Sequence, residues 1–290
     1  MLLLCSIWGI QQVAMKSIVV DVTPIMQLAI RFAGASIFFG IWVLVSEGRS
    51  AFADGTLASG LLLGVLFSIE FLLVGEALIH TTAAHTIVSI YSAPIFTALG
   101  LQFLPEENLN RIQWSGIAVA FLGIVIAFLG HSGKSAAELL SGDLLALAAG
   151  ATWGLSNVAL RHGRVGNAAT AKTVFYQVGA ATLLLLSFAA VTGQTAVTLS
   201  PATILCLLFQ TLIIAIFSYL VWFWLLRHYL TSRLILLTLM TPVCGVLFGA
   251  ALLNDPIDLR FALGSLLVLA GVLIVNIRLK TKNLQSTGQY

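Results

Sequence analysis

Long apolar stretches separated by short polar breaks recur along the whole chain. A helix needs about 20 apolar residues to cross the hydrocarbon core of a bilayer. By this length criterion the sequence predicts ten membrane-spanning helices, at residues 2–20, 24–46, 55–79, 81–104, 112–130, 143–160, 170–193, 201–226, 232–253 and 260–277. The predicted fold class is therefore an all-α membrane protein with ten transmembrane helices. An eight- or nine-span count stays open, because only His80, Thr81 and Thr82 interrupt the apolar run between spans 3 and 4.

Composition supports a membrane protein and narrows its partners. Hydrophobic residues make up 59% of the chain and charged residues 9%, whereas a soluble domain carries about 25% charged residues. A net charge of +3 is too small to suggest a nucleic-acid partner. Cys5, Cys206 and Cys244 lie inside apolar stretches, so we interpret them as small hydrophobic residues and not as a disulfide or metal set.

The first span resembles a retained helix more than a cleaved signal peptide. A signal peptide begins with a basic segment, but Met1 runs directly into Leu2, and no Lys or Arg precedes Lys16. We therefore expect this helix to stay in the membrane.

The distribution of Lys and Arg predicts the orientation. With ten spans, the side that holds both termini carries ten of these residues: Arg49, Arg111, Arg161, Arg164, Lys172, Arg227, Arg233, Arg278, Lys280 and Lys282. The other side carries four, which are Lys16, Arg31, Lys134 and Arg260. Because basic residues are enriched in cytoplasmic loops, both termini are predicted to be cytoplasmic.

The chain also contains an internal repeat. The segment that begins at Trp8-Gly9 aligns with the segment at Trp153-Gly154, 145 positions later, and at an offset of 148 Pro94 aligns with Pro242. Each unit holds five spans, so the second unit must enter the membrane from the opposite face. Such inverted repeats are typical of secondary transporters with a binding site near the membrane midplane.

The same motifs carry a family resemblance. The Trp-Gly start of each half, the Ser92-Ala93-Pro94 and Met240-Thr241-Pro242 segments, and the fifth helices with Gly116-Ile117-Ala118 and Gly264-Ser265-Leu266 resemble the EamA family of drug/metabolite transporters. The resemblance covers about residues 1–130 and 143–277, which we take as the first and second repeats. It implies a ten-helix carrier of the bacterial inner membrane that moves small metabolites, often outward.

The chain departs from the family pattern in two ways. Almost nothing precedes the first helix, as would follow from a misplaced start codon. The acidic residue that is common after the fourth helix appears as Glu106-Glu107 in the first half but as Asn254-Asp255 in the second.

Ionisable side chains inside a span are costly in lipid and therefore point to function. Glu70 and Arg31 are predicted to lie roughly 11–13 Å below the outer surface, at 1.5 Å per residue. They either neutralise each other as a structural pair or line a cavity and meet a polar or zwitterionic substrate, and both interpretations stay open. Lys16 and Glu76 could form a second, shallower pair.

The second half differs at the aligned positions. Glu70 aligns with Ser218 and Arg31 with Tyr176, while Tyr219 and Trp222 share one helix face. This asymmetry would suit a substrate with a charged end and an apolar body. Because aromatic residues near helix ends commonly form interface belts, a belt is the favoured interpretation of Trp222 and its neighbour Trp224.

Polar and aromatic residues beside the repeated motifs complete the candidate site. Gln11 and Asn157 follow the Trp-Gly pairs, and Tyr91 lies beside Pro94. The candidate substrate-binding residues are Trp8, Gln11, Arg31, Glu70, Tyr91, Trp153, Asn157, Tyr176, Tyr219 and Trp222. Pro94 and Pro242 are candidate hinge or gating residues, because proline frees backbone carbonyls within a helix.

Other chemistries lack support in the sequence. Gly133-Lys134-Ser135 ends like a phosphate-binding loop, but Phe128 stands where the first glycine is needed. No His/Cys cluster has zinc spacing and no Ser-His-Asp arrangement is present, so we expect no metal, no cofactor and no enzymatic activity. A channel would show a selectivity filter or rings of like charge, and neither is visible in the sequence.

These observations predict a secondary transporter that works by alternating access, as a monomer, with the lipid bilayer and a small molecule as partners. The substrate is expected to be an amino acid or a similar zwitterionic or amphipathic metabolite, and the direction export. A channel or an uptake permease is the alternative. Proton coupling and passive uniport both stay open.

Overall fold

The computed structural model of the protein describes residues 1–81, 86, 89–102, 109–128, 136–253 and 259–277. Within them the α-helices are α1 (Leu2–Ser17), α2 (Pro24–Glu47), α3 (Leu57–His80), α4 (Ala93–Leu101), α5 (Arg111–Phe128), α6 (Ala136–His162), α7 (Thr170–Val191), α8 (Pro201–Phe209), α9 (Tyr219–His228), α10 (Thr231–Leu237), α11 (Met240–Leu253) and α12 (Leu259–Ile277). Two 3₁₀ turns, Arg49–Phe52 and Arg164–Asn167, precede α3 and α7. In the described part of the chain, β-pairing is limited to one antiparallel bridge between Val22 and Val197.

Length and composition make this a membrane architecture. Among the described residues, five helical stretches are long and apolar enough to cross a membrane: Pro24–Glu47, Leu57–Ala77, Leu140–His162, Thr170–Val191 and Pro201–His228. Shorter apolar helices include Leu2–Gln11, Arg111–Ile126, Thr231–Gly245 and Ala262–Ile274. The predicted all-helical membrane fold is confirmed, and the ten-span layout stays a prediction.

Two helices begin with the same chemistry. Thr23 precedes Pro24 at the start of α2 and accepts a hydrogen bond from the backbone N–H of Met26, while Ser200 precedes Pro201 at the start of α8 and accepts one from Thr203. A hydroxyl side chain satisfies a backbone donor that the helix leaves free, and proline fits the first turn because it needs no donor there.

The helices pack in matching pairs. Helix α1 packs on α11 as α6 packs on α4, and α2 and α7 pack on each other. Helix α3 contacts α7, while α2 contacts the segment between α8 and α9. Each of these contacts of the first half thus has a counterpart in which the two halves exchange roles.

Helices α5 and α12 form a close pair at glycines, which include Gly116 and Gly264 of the family motif. A Cβ atom on Gly123 would lie 2.6 Å from the carbonyl oxygen of Gly264, and one on Gly271 would lie 2.6 Å from that of Gly116. Small residues let helix backbones approach each other in membranes. Glycine is therefore required by packing at Gly123 and Gly271.

Helix α8 is joined to α9 by a nine-residue π-helical segment, Gln210–Ser218, here called the π segment. The continuous rod Pro201–His228 has 28 residues, whereas α3, its counterpart in the first half, has 24. Leu57 and Pro201 are 144 positions apart, but His80 and His228 are 148 apart. The additional residues of the second half therefore lie inside the rod, where the wider π turns occur.

Several sequence predictions fall outside the described residues. They are the acidic positions Glu106-Glu107 and Asn254-Asp255, the loop around Lys134, and the basic tail with Arg278, Lys280 and Lys282.

Candidate functional site

A cavity of about 200 Å³ lies between the helices of the two halves. We call it the central cavity. It is lined by Trp8, Gln11, Phe67, Glu70, Phe71, Val74, Thr86, Ile90, Tyr91, Trp153, Ser156, Asn157, Leu160, Gln177, Tyr219, Trp222, Phe223 and Thr241. Aromatic and apolar walls with a few polar groups are typical of small-molecule sites.

The repeated Trp-Gly motif has a clear physical role. Trp8 and Trp153 line the cavity, while the following glycines turn toward a neighbouring helix. A Cβ on Gly9 would lie 2.7 Å from the backbone nitrogen of Gly245 in α11, and one on Gly154 would lie 2.6 Å from Cβ of Phe96 in α4. Each motif therefore combines an aromatic wall with a close helix contact.

The proline helices α4 and α11 begin at equivalent breaks. Backbone turns at Tyr91-Ser92 and Thr238-Leu239 precede them, so each proline lies in the first turn of a helix. The hydroxyl of Ser92 donates to the carbonyl of Ser89 at 2.6 Å, and that of Thr238 donates to the carbonyl of Ile235 at 2.6 Å.

These breaks satisfy a carbonyl group locally, because a hydroxyl can bond the backbone three residues earlier. They also bring Tyr91 and Thr241 to the cavity wall. The proposed hinge role of Pro94 and Pro242 stays a prediction.

Four cavity-lining residues carry buried polar atoms for which the described residues provide no hydrogen-bond partner. The atoms are Oε2 of Glu70, Oγ of Ser156, Oε1 of Gln177 and Oγ1 of Thr241 in α11. Glu70 belongs to α3, Ser156 to α6 and Gln177 to α7. Since buried polar groups are normally paired, these atoms mark the place where a polar ligand or water is needed.

Arg31 does not form an ion pair with Glu70, which was one of the two open interpretations of these residues. It is completely buried, and none of its three side-chain nitrogens has a hydrogen-bond partner among the described residues. Its guanidinium carbon lies 4.7 Å from the ring centre of Phe32 and 5.5 Å from that of Phe71. Cation–π contacts with these rings replace the expected carboxylate, because aromatic side chains occupy the space around the guanidinium.

Arg31 is also absent from the cavity wall. The predicted common depth of Arg31 and Glu70 nevertheless agrees with the structure, because Phe71, which Arg31 contacts, directly follows Glu70. The ring of Tyr219 lies beside that of Phe32, with ring centres 6.4 Å apart. The arginine thus supports the wall of the cavity from behind.

Trp222 corrects a second expectation. The belt interpretation is wrong for this residue, since Trp222 is only 5% exposed and packs edge-to-face on Trp8, with ring centres 5.5 Å apart. The π segment and the first turn of α9 direct it inward, together with Tyr219. Trp224 is 50% exposed, as a belt residue would be.

The indole of Trp8 is held in place by the same segment. Its N–H donates to Oγ of Ser218 at 2.9 Å, and Ser218 in turn donates to the carbonyl of Ile214 at 2.5 Å. On the opposite wall, Trp153 packs edge-to-face on Tyr91, with centres 5.8 Å apart. Asn157 donates to Oγ1 of Thr97 at 3.4 Å and so links α6 to α4.

Tyr176 lies away from the cavity. Its hydroxyl is 3.3 Å from Oγ1 of Thr56, and its ring packs edge-to-face on Phe52. Tyr176 therefore belongs to the contact between α3 and α7. The side chain of Lys16 is outside the described residues, so the predicted pair with Glu76 stays untested.

Sequence inspection missed Ser156, Gln177 and Thr241. All three are polar residues within apolar spans, which is a signal for helix contacts or for a site. Their direction could not be read from the sequence, because short polar side chains often bond their own helix backbone instead.

A buried cation joins the halves at one end of the bundle. Lys172, at the start of α7, is completely buried. Its ammonium donates a hydrogen bond to the carbonyl oxygen of Ala51. It also donates to Oδ2 of Asp54, at 2.5 Å, and lies 3.7 Å from a carboxylate oxygen of Glu47. The Lys172 ammonium and the hydroxyl of Thr56 hold the pKa of Asp54 well below its usual range. We call this contact the lysine clasp.

The opposite end carries a second contact of the same kind. Oγ1 of Thr203 donates to Oδ2 of Asp21 at 2.8 Å, and the backbone N–H of Thr198 donates to the carbonyl of Asp21 at 3.0 Å. This aspartate clasp joins the start of α2 to the loop before α8, as the lysine clasp joins the start of α7 to the loop before α3.

Comparison with known proteins decides the family. A model of the EamA-like transporter family matches residues 1–129 and 140–277. The chain belongs to the EamA-like transporter family. As a family member it is a multi-pass membrane transporter, which agrees with its several apolar helices.

The relatives with the names given below are called transporters or efflux pumps, and each matches this chain over most of its length. The chain is 26% identical over 272 residues to the uncharacterized transporter YoaV of Bacillus subtilis, covering 92% of this chain and 91% of that protein. It is 28% identical to a probable amino-acid metabolite efflux pump of Salmonella typhimurium, covering 94% and 92%. A solved crystal structure of another protein has the same fold, with a TM-score of 0.77, 20% sequence identity and 94% of both chains covered.

Proposed function

We propose that this EamA-family protein is a secondary transporter that exports a small zwitterionic or amphipathic metabolite, such as an amino acid, across the bacterial inner membrane. Transport would proceed by alternating access of the central cavity, with ten spans arranged as two inverted five-helix repeats and both termini in the cytoplasm. The protein would need no cofactor and would act as a monomer.

The observation that carries this proposal is the set of unpaired polar atoms in the central cavity. Glu70 would meet a substrate ammonium group, and Ser156 and Gln177 would bind polar atoms of the same molecule. The aromatic walls, including Trp8 and Trp222, would hold an apolar body. Because both halves supply these groups, movement of one half against the other would open the site to either side.

The matching helix contacts support the inverted repeat. The exchange of α1/α11 for α6/α4, and the similar breaks at α4 and α11, are expected when two copies of one unit are related by a half-turn. Export of an amino-acid metabolite is supported by the names of two relatives, the probable efflux pumps of Salmonella typhimurium and Escherichia coli.

Counterflow in proteoliposomes tests the proposal. Purified protein is reconstituted, the vesicles are loaded with unlabelled amino acids, and accumulation of each radiolabelled amino acid is followed with and without a pH gradient. Saturable counterflow that empty liposomes lack is expected for at least one zwitterion. Unsaturable flux or ion current would instead identify a channel. Net accumulation of the labelled amino acid by whole cells that express the protein would identify an uptake permease.

The matched control lies on the same helix. Glu76→Gln removes the same charge six residues from Glu70, at a position outside the cavity lining. Glu70→Gln should abolish counterflow that Glu76→Gln retains. Equal activity of the two variants would remove Glu70 from the proposed site.

A further inference from the structure

Helices α3 and α6 are joined at both ends of the bundle. At the end that holds the lysine clasp, here called the lysine end, Oγ of Ser59 accepts a hydrogen bond from the backbone N–H of Val165 at 3.2 Å. At the end that holds the aspartate clasp, the aspartate end, Oγ1 of Thr81 donates to Oδ1 of Asp143 at 2.7 Å. Positions 59 and 81 are 22 residues apart, which is about 33 Å along a helix. The contact between α3 and α6 therefore extends across a bilayer core of about 30 Å.

The contact at the aspartate end is tight. A Cβ atom on Gly142 would lie 2.5 Å from Cβ of Thr81, so a larger residue at this position would push α6 away from the end of α3. Two turns deeper in α6, a Cβ on Gly150 would lie 2.8 Å from the carbonyl oxygen of Ile90. The next turn carries Trp153, which lines the central cavity as Ile90 does. These contacts therefore lie between the central cavity and the aspartate end.

The second half arranges the corresponding helices, the rod Pro201–His228 and α1, in another way. At the aspartate end, where the rod begins, Sγ of Cys206 donates to the carbonyl oxygen of Ala14 at 3.1 Å. Halfway along, Trp222 of the rod and Trp8 of α1 border the central cavity. Toward the lysine end, the last two turns of the rod border a second cavity of about 460 Å³, together with the end of α6 and the start of α7. We call it the lysine-end cavity.

The central cavity continues into the lysine-end cavity. Leu160 of α6 and Phe223 of the rod line both of them. The rod thus meets α1 where the rod begins and borders open space where it ends, whereas α3 meets α6 at both of its ends. When two inverted halves exchange their arrangements, the opening moves to the other face of the membrane. The second half therefore indicates how the first half is arranged in the opposite access state.

We propose that the contact between Thr81 and Asp143 is the gate of the aspartate end. In the opposite access state, α3 keeps its contact with α6 at Ser59, as the rod keeps its contact with α1 at Cys206. The end of α3 moves away from Asp143, and the central cavity opens to the aspartate end. The alternation between the two states rests on the proposed function, whereas closure of the cavity by this contact does not.

A cysteine in the central cavity reports which end is open. Val74 lines the cavity and is replaced by cysteine in a protein whose native cysteines are changed to alanine. Right-side-out and inside-out membrane vesicles are treated with a membrane-impermeant maleimide, and the labelling rate is measured from each side. The side on which Val20→Cys reacts identifies the aspartate end, because Val20 is exposed in the turn before α2. The result is then independent of the proposed topology.

Two substitutions should open the gate. Thr81→Val keeps the shape of the side chain but removes the hydroxyl that donates to Asp143, and Gly142→Ala places a methyl group against Thr81. Each should raise the labelling rate of Val74→Cys from the aspartate end by about fivefold or more, because each weakens only the closed state. Thr81→Ser keeps the hydroxyl and should stay near the native rate.

Ser59→Ala is the matched control. It removes a hydroxyl from the other end of the same helix contact and should leave labelling from the aspartate end unchanged. Equal labelling rates in Thr81→Val, Gly142→Ala and Ser59→Ala would overturn the gate.

Cross-linking tests whether the gate must move during transport. In the double variant Thr81→Cys/Asp143→Cys, a short bifunctional methanethiosulfonate should abolish counterflow, and cleavage of the link by dithiothreitol should restore it. Full counterflow with the link in place would overturn the opening at this contact. Failure of the native protein to transport any zwitterion would overturn the proposed function, and the labelling rates would still decide the gate.

Discussion

Glu70 and Arg31 show how a membrane protein can keep two opposite charges close together without joining them. Each is buried, and the contacts of Arg31 are with the rings of Phe32 and Phe71. Placing a charged side chain near the membrane centre raises the free energy of insertion by at least about 2.5 kcal/mol. Cation–π contacts offset only part of this penalty. Glu70 is left available to the cavity because Arg31 does not bind it.

Single substitutions of these residues should have different effects. Glu70→Gln should lower transport by about tenfold or more, because a hydrogen bond to a charged group is worth about 1.5–3 kcal/mol. Arg31→Gln should mainly lower thermal stability, through the loss of ring contacts. Counterflow rates and melting temperatures of both variants check this.

The double variant separates a structural role from a substrate role. If Glu70 contacts substrate, Arg31→Gln with Glu70→Gln should melt like Arg31→Gln alone and remain inactive. Recovery of most transport in the double variant would show that the two charges serve only to balance each other. Normal transport in both single variants would exclude a role for either charge.

The lysine clasp predicts a loss of stability in Lys172→Met. This change keeps the aliphatic stem but leaves the buried carbonyl of Ala51 without its donor, which costs about 1–3 kcal/mol. The melting temperature in detergent should fall by several degrees. Arg164→Met, at an exposed position nearby, should leave it within experimental error.

The stability contributed by Asp54 in the lysine clasp should not change in mild acid. The pKa of Asp54 is lowered in the folded protein, so the stability that it contributes is complete above the unfolded value of about 3.9 and is lost only as the pH falls further. The difference in melting temperature between the native protein and Asp54→Asn should therefore be constant between about pH 5 and pH 7 and should shrink below about pH 3.9. A difference that already declines near pH 6 would contradict the assignment.

At the scale of helices, the contact between α1 and α11 depends on the absence of a single side chain. Gly9→Ala would place Cβ 2.7 Å from the backbone of Gly245, and overpacking of this kind costs about 1–3 kcal/mol. We expect a lower melting temperature and reduced transport. An unchanged melting temperature and unchanged transport in Gly9→Ala would mean that α1 can move away from α11 at little cost in free energy.

Gly179 is the matched control for Gly9. It also lies inside a helix, α7, but a Cβ there would meet only Oγ of Ser36 at the ordinary distance of 3.5 Å. Gly179→Ala should keep or raise the melting temperature, since alanine favours a helix interior over glycine by about 0.5–1 kcal/mol.

At the scale of the whole molecule, the proposed orientation makes a test by cysteine labelling possible. Val20, which is 96% exposed in the turn before α2, should lie outside, and the exposed Ala53 before α3 should lie inside. With Cys5, Cys206 and Cys244 replaced by alanine, a membrane-impermeant maleimide should label Val20→Cys in intact spheroplasts. It should label Ala53→Cys only after permeabilisation.

A reporter fused after Tyr290 gives an independent measure of the same orientation. It should be active only in the cytoplasm, because an even number of spans places both termini on one side. Periplasmic activity there, or labelling of Ala53→Cys in intact spheroplasts, would overturn the proposed arrangement of ten spans with cytoplasmic termini.

Sequence periodicity and motif spacing predicted much of this molecule. The long helices α2, α3 and α7 lie close to their predicted spans, because apolar length is itself the physical requirement for crossing a bilayer. Trp8 and Trp153 were identified through the repeat, and both line the cavity. Repetition of a motif preserves the contacts that it makes, which is why this signal was reliable.

Other features depend on three-dimensional contacts that the sequence does not encode locally. The sequence placed Arg31 and Glu70 at one depth but could not show that rings of Phe32 and Phe71 would take the guanidinium. It could not show the inward turn of Trp222 either, because that direction depends on the π segment. A π segment has no distinctive composition, and here it becomes visible only when the lengths of α3 and the rod Pro201–His228 are compared.

The extra length of that rod has a thermodynamic consequence for the arrangement that we propose. A carrier made of two identical inverted halves would look the same from both sides of the membrane, and its two access states would have equal free energy. The greater length of one span removes this equality through the covalent backbone. The resting orientation of the protein is then a fixed property of the chain, present before any substrate, ion gradient or lipid acts on it.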